Sequence, residues 1–180
     1  MKNLTLLFIF ILTSGSLCAQ DKILTKTGKI IFEASVPSFE EVKAKNETAT
    51  CILNTKTGEI ASLALIKGFR FKIALMEEHF NENYMESDLY PKATFKGKIQ
   101  GFNWNIIGTS PKQFKMKGKL ELHGKSKEIS SIVTLRKVDN GLEIISDFNV
   151  NSDDFGIEIP KVVSKKVSKT VNIKTNFLVK

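Results

Sequence analysis

The chain has 180 residues, with 27 Lys and Arg against 19 Asp and Glu, a formal net charge of +8 and 42% hydrophobic residues. This length fits one domain able to bury a core, and no low-complexity segment, internal linker or repeat unit divides it. A basic surface fits nucleic acid, an anionic membrane surface or solubility alone; the export signal read below argues against nucleic acid.

In chain order, residues 1–19 read as a signal peptide. Lys2 supplies the positive start, and Leu4 to Leu12 (LTLLFIFIL) form an apolar stretch too short to span a bilayer. Small residues follow, and cleavage is expected after Ala19, leaving a domain over 20–180 beyond the inner membrane, periplasmic or extracellular. Removing Lys2 leaves a net charge near +7 (8 − 1). Lipidation at Cys18 needs a small residue before it, and Leu17 stands there. With Cys18 removed, Cys51 is alone in ATCIL and is expected to be buried and inert. The fold must then stand without an intramolecular disulfide.

Turn signals at Thr27-Gly28, Thr57-Gly58, Gly101, Gly108 to Pro111, His123-Gly124 and Asn140-Gly141 separate runs with a period of two. Asn140-Gly141 carries the strongest type I′ hairpin signal. Strands are expected at 29–36, 46–54, 58–66, 93–101, 112–122, 127–138, 141–151 and 170–180. Eight strands adjacent in sequence point to antiparallel hairpins in a sandwich or barrel. One helix interrupts them: Ile73, Met76, Phe80 and Tyr84 recur at spacings of three and four, and the turn before Pro91 ends the helix. So short a helix needs a packing partner.

Alternation defines an inner face. Phe114, Met116, Gly118, Leu120 and Leu122 oppose Lys115, Lys117, Lys119 and Glu121; Leu142, Ile144, Ser146, Phe148 and Val150 share a face, as do Val171, Ile173, Thr175, Phe177 and Val179. Small residues (Gly97, Gly118, Ser131, Ser146, Thr175) lie among large ones. From pattern alone this fits either a jigsaw core or an apolar tunnel.

The acidic helix with its His, then YPKATF, resembles the YceI-like family of secreted lipid-binding barrels. FKMKGKLELHGKSKEI (114–129), FNVNSDDFGIEIP (148–160) and VNIKTNFLVK (171–180) extend the resemblance from about Gly28 to the end. It implies an all-β, antiparallel, eight-stranded lipocalin-like barrel with one short helix, holding a polyisoprenoid, isoprenoid quinone or fatty amide. The expected cavity residues are Met76, Phe80, Phe95, Phe114, Met116, Leu120, Leu142, Ile144, Phe148, Phe155, Ile173 and Phe177. The alternative is an envelope interaction module whose barrel is filled by side chains. Burying one CH₂ contributes about 0.8 kcal/mol, against an association cost of about 4–15 kcal/mol, so only a long tail binds well without strong polar contacts. Met76 and Phe80 then serve as a lid or as a plug.

No catalytic, metal or cofactor site is expected. His79 stands among Glu77, Glu78 and Glu82, but Glu78 and His79 are adjacent and point different ways on a helix. Ser126, Ser130 and Ser131 lack a nucleophile-elbow context. In Asp154-Phe155-Gly156, Phe155 is expected to tuck into the barrel end with Gly156 permitting the turn. Asn46-Glu47-Thr48 matches a glycosylation acceptor, and Trp104 is expected at a rim. Attraction to an anionic membrane surface is the functional reading left for the positive charge; the oligomeric state is open.

Overall fold

The structure, a computed structural model, describes residues 21–180. The expected signal segment 1–19, its expected cleavage site and Cys18 lie outside them.

Among the described residues, nine strands form one antiparallel sheet: β1 (Lys22–Ser35), β2 (Lys43–Asn54), β3 (Glu59–Leu65), β4 (Arg70–Phe71), β5 (Lys92–Ile99), β6 (Lys112–Leu122), β7 (Lys125–Val138), β8 (Gly141–Asn151) and β9 (Val167–Val179). Eight of them close a barrel in the order β1-β9-β8-β7-β6-β5-β3-β2, with β2 returning to β1. The two-residue β4 lies outside this ring, paired with Ala44 and Lys45 of β2. Helix α1 (Ala74–His79) continues into a π-helical turn over Phe80–Tyr84.

Each expected strand is present, but the turn expected at Thr27-Gly28 is not. β1 runs through it, with register shifts on either side of Gly28. A Cβ at Gly28 would meet the Phe177 ring and, at 2.9 Å, the Ala49 carbonyl. Glycine stands there for close approach within a bulged strand rather than to reverse the chain.

The hairpin signals also trade places. Val138 pairs with Gly141, so Asp139 and Asn140 are the central residues of that turn. Neither has a positive φ, which a type I′ turn requires at both positions. The His123-Gly124 turn has φ of +50° and +69° and joins paired Leu122 and Lys125, so the I′ conformation falls there.

The hairpins alternate between two barrel ends. One end, formed by turns 55–58, 100–111 and 139–140, is filled by Leu53, Ile99, Phe114, Val133, Leu135, Leu142 and Val179, all buried. Trp104 sits beside it in a short 3-10 turn, with Lys137 Nζ 4.8 Å from its ring centre. The other end carries the two longest connections, 66–91 and 152–166, with the segment 36–42 and the hairpin 123–124.

Asn46 is fully buried. Its Nδ2 donates to the Leu65 carbonyl at 3.0 Å, and its Oδ1 accepts from Thr48 N at 2.8 Å and Thr48 Oγ1 at 3.1 Å. The apparent glycosylation triplet is therefore a buried clamp between strands.

Cys51 is fully buried and free. Burial pushes its thiol up from an ordinary 9.0 to about 12. The neutral form is favoured by folding, so the stability linked to it is intact below 9.0 and falls as pH rises from there toward 12. A thiol-specific reagent at neutral pH is expected to leave the folded protein unmodified and to label it fully in denaturant. Rapid labelling of folded protein would show that the strand opens.

Candidate functional site

A cavity of about 400 Å³ occupies the barrel behind the long-loop end. It lies in the size range of ligand pockets. Its lining follows β8 inward from Val150 through Phe148 and Ser146 to Ile144, with Ser152 in the short 3-10 turn just beyond the strand. Six residue steps correspond to about 20 Å of strand, and somewhat less along the axis because barrel strands tilt. The site is long, narrow and mostly apolar.

Ten of the twelve expected residues line it. Ile144, Met116 and Phe177 form the floor, with Ile144 and Phe177 paired across β8 and β9. Phe95, Leu120, Phe148 and Ile173 stand on the walls, and Met76, Phe80 and Phe155 lie toward the loops. Phe114 and Leu142 do not line the cavity; they belong to the packed core at the filled end. Alternation assigned their face correctly but carries no information on depth, and their positions lie below the floor.

The small residues divide in the same way. Gly97 and Gly118 face each other across β5 and β6 but do not widen the cavity. The Phe95 ring lies over both: a Cβ at either would stand 2.6–2.7 Å from its Cζ. Ser131 is buried outside the lining. Ser146 and Thr175 do face the cavity, and their hydroxyls hydrogen-bond each other at 2.8 Å.

α1 and its π turn form part of the wall through Met76, His79, Phe80 and Tyr84. Phe80 is anchored against Phe32, Phe69 and Phe71 at ring distances of 5.2, 5.9 and 5.1 Å. Arg70 Nη1 and the Phe71 backbone N–H both donate to the Glu77 carboxylate, at 2.8 and 3.1 Å, tying β4 to α1. Phe69 and Phe71 share the period of two, but a two-residue strand is too short to stand out in sequence.

Beyond the helix, Glu86 takes a φ of +43° and meets His123 Nε2 at 2.9 Å, while His123 Nδ1 lies 3.2 Å from the Phe155 carbonyl. Tyr90 packs edge-on against the same ring at 4.5 Å. His123 thus joins three loops at the cavity end, a role invisible in sequence because its partners come from positions 86, 90 and 155. Phe155 is buried, and Gly156 turns the chain at φ +67°. His79 is exposed, and among the described residues no group of three or more His, Cys, Asp or Glu is placed to hold a metal ion.

The family model for the YceI-like domain matches residues 23–178. The chain belongs to the YceI-like family. Solved structures share its fold at low identity. A polyisoprenoid binding domain from Saccharophagus degradans, implicated in plant cell wall breakdown, is 13% identical, with a TM-score of 0.77 over 89% of this chain and 98% of that one. BcnA of Burkholderia cenocepacia is 15% identical, with a TM-score of 0.69 over 84% and 96%. The Campylobacter jejuni YceI protein is 15% identical, with a TM-score of 0.61 over 81% and 89%. No match is found among curated proteins. The YceI-like barrel of this chain is packed at one end only, and its packed floor stops at Ile144 and Phe177.

Proposed function

We propose that this protein is an exported carrier that holds one long-chain apolar molecule, a polyisoprenoid, isoprenoid quinone or fatty amide, inside its barrel. The observation that carries this reading is the long apolar cavity above a packed floor, in a fold shared with a solved polyisoprenoid binding domain. Each methylene buried contributes about 0.8 kcal/mol, so affinity rises with tail length. The polar lining is sparse, and the Ser146–Thr175 hydroxyls already satisfy each other in part. Such a lining holds a tail and recognises a head group loosely. The same sparseness supports binding rather than catalysis. The N-terminal segment supports export.

The test is mass spectrometry of what the protein carries. The full chain is expressed in a bacterial host, purified without detergent and extracted with organic solvent beside an unrelated exported protein. A long-chain species at about one per protein is expected, together with an intact mass beginning at Gln20. A clean extract, with no uptake when prenols, quinones and fatty amides are added back, would overturn the carrier reading and favour an envelope interaction module. A mass retaining residues 1–19 would overturn export.

A further inference from the structure

The outer wall of β5 and β6 carries charge for which the fold has no use. The register sets Lys96 opposite Lys119 and Lys98 opposite Lys117, with Lys115 next on the same face. Like charges directly opposite on neighbouring strands destabilise a sheet. All five lysines are exposed, and none forms an ion pair among the described residues. Acids stand only at the borders: Glu59 opposite Lys98, Glu128 opposite Lys119, and Glu121 opposite Thr94. On either side the wall presents apolar residues, Leu65 opposite Lys92 and Ile132 opposite Lys115, each about half exposed.

We propose that this wall docks the protein on an anionic lipid bilayer. A plane of phosphate groups supplies the counter-charge that the wall lacks. Lysine suits it, because an ammonium on a flexible stem meets a mobile headgroup without a fixed geometry. Clustered lysines near an anionic leaflet add attraction residue by residue, and Leu65 and Ile132 are placed to enter the interface beside them. Single-stranded nucleic acid is a poorer occupant, since the outward positions of β5 and β6 (Thr94, Lys96, Lys98, Gln113, Lys115, Lys117, Lys119 and Glu121) include no aromatic on which bases could stack. The purpose of docking rests on the carrier reading, because a long apolar cargo passes only between apolar phases; the docking itself is measurable without cargo.

The experiment is vesicle flotation with phosphatidylcholine alone and with a phosphatidylcholine–phosphatidylglycerol mixture, at low and high salt. The full chain is compared with Lys96→Gln/Lys98→Gln/Lys117→Gln/Lys119→Gln and with a control that removes equal charge elsewhere, Lys22→Gln/Lys26→Gln/Lys161→Gln/Lys165→Gln. Wild type is expected to float with the anionic vesicles only, and to be released by salt. The wall variant is expected to bind up to about a thousandfold more weakly and the control nearly as well as wild type. The wall variant is also expected to melt no lower than wild type, since cross-strand repulsion has been removed, and to retain a hydrophobic fluorescent probe equally. Equal loss in both variants would reduce the effect to net charge and overturn the proposal. So would wild type that ignores anionic vesicles, or that binds heparin or nucleic acid in their place. A protein that floats but carries and takes up no lipid would overturn the carrier reading and leave the docking surface standing.

Discussion

Gly118→Ala is expected to destabilise the barrel by about 3 kcal/mol, a large part of the 5–15 kcal/mol typical of a domain. Its added Cβ would meet the Lys96 carbonyl, the Gly97 Cα at 2.5 Å and the Phe95 Cζ at 2.7 Å. Two of these are backbone atoms of the neighbouring strand, so no rotamer relieves them. β5 and β6 must separate and the Phe95 ring must also shift aside, and both movements lose packing. Gly108→Ala is the control: a Cβ there has nothing within 4 Å. It is expected to be neutral or to gain about 0.5 kcal/mol from a stiffer unfolded chain. Chemical denaturation of the two variants checks this, and equal midpoints would show that the Gly97–Gly118 contact is not close-packed.

Ser146→Phe is expected to lower affinity for a long-chain ligand about tenfold or more while leaving the barrel folded. Ser146 lines the lower cavity two residues above Ile144. A ring there occupies space for at least two methylenes, each worth about 0.8 kcal/mol, and about 1.4 kcal/mol is a tenfold change. Ser146→Ala separates blocking from the loss of the hydroxyl that bonds Thr175 at 2.8 Å. It is expected to cost about 1 kcal/mol of stability and to keep the affinity. Competition between a hydrophobic fluorescent probe and prenols of increasing length reads both variants. Undiminished affinity of Ser146→Phe for the longest prenol would place the tail elsewhere.

Much of the fold is legible along the chain because antiparallel strands announce themselves locally. The period of two in 112–122 and 141–151 is a property of single segments, and β6 and β8 fall on those residues, Lys112–Leu122 and Gly141–Asn151. Turn type was less legible. Asn140-Gly141 carries the stronger I′ signal, yet His123-Gly124 adopts the positive φ values. Contacts with Glu86, Tyr90 and the Phe155 carbonyl hold the His123 ring at that turn, and those residues are 32 to 37 positions away.

The site divides along the same line. The order of residues alone shows which face of each strand is apolar, that one short helix needs a packing partner, and that the net charge is positive. Those depend on near neighbours and on composition. The tertiary structure alone decided that Phe114 and Leu142 seal the floor while Ile144 and Phe148 line the cavity. It also decided that Phe95 fills the space over Gly97 and Gly118, and that Lys96 faces Lys119. The reason is geometric: alternation fixes the side of a strand, while depth, ring orientation and cross-strand partners are fixed only by the register in which distant strands close the barrel.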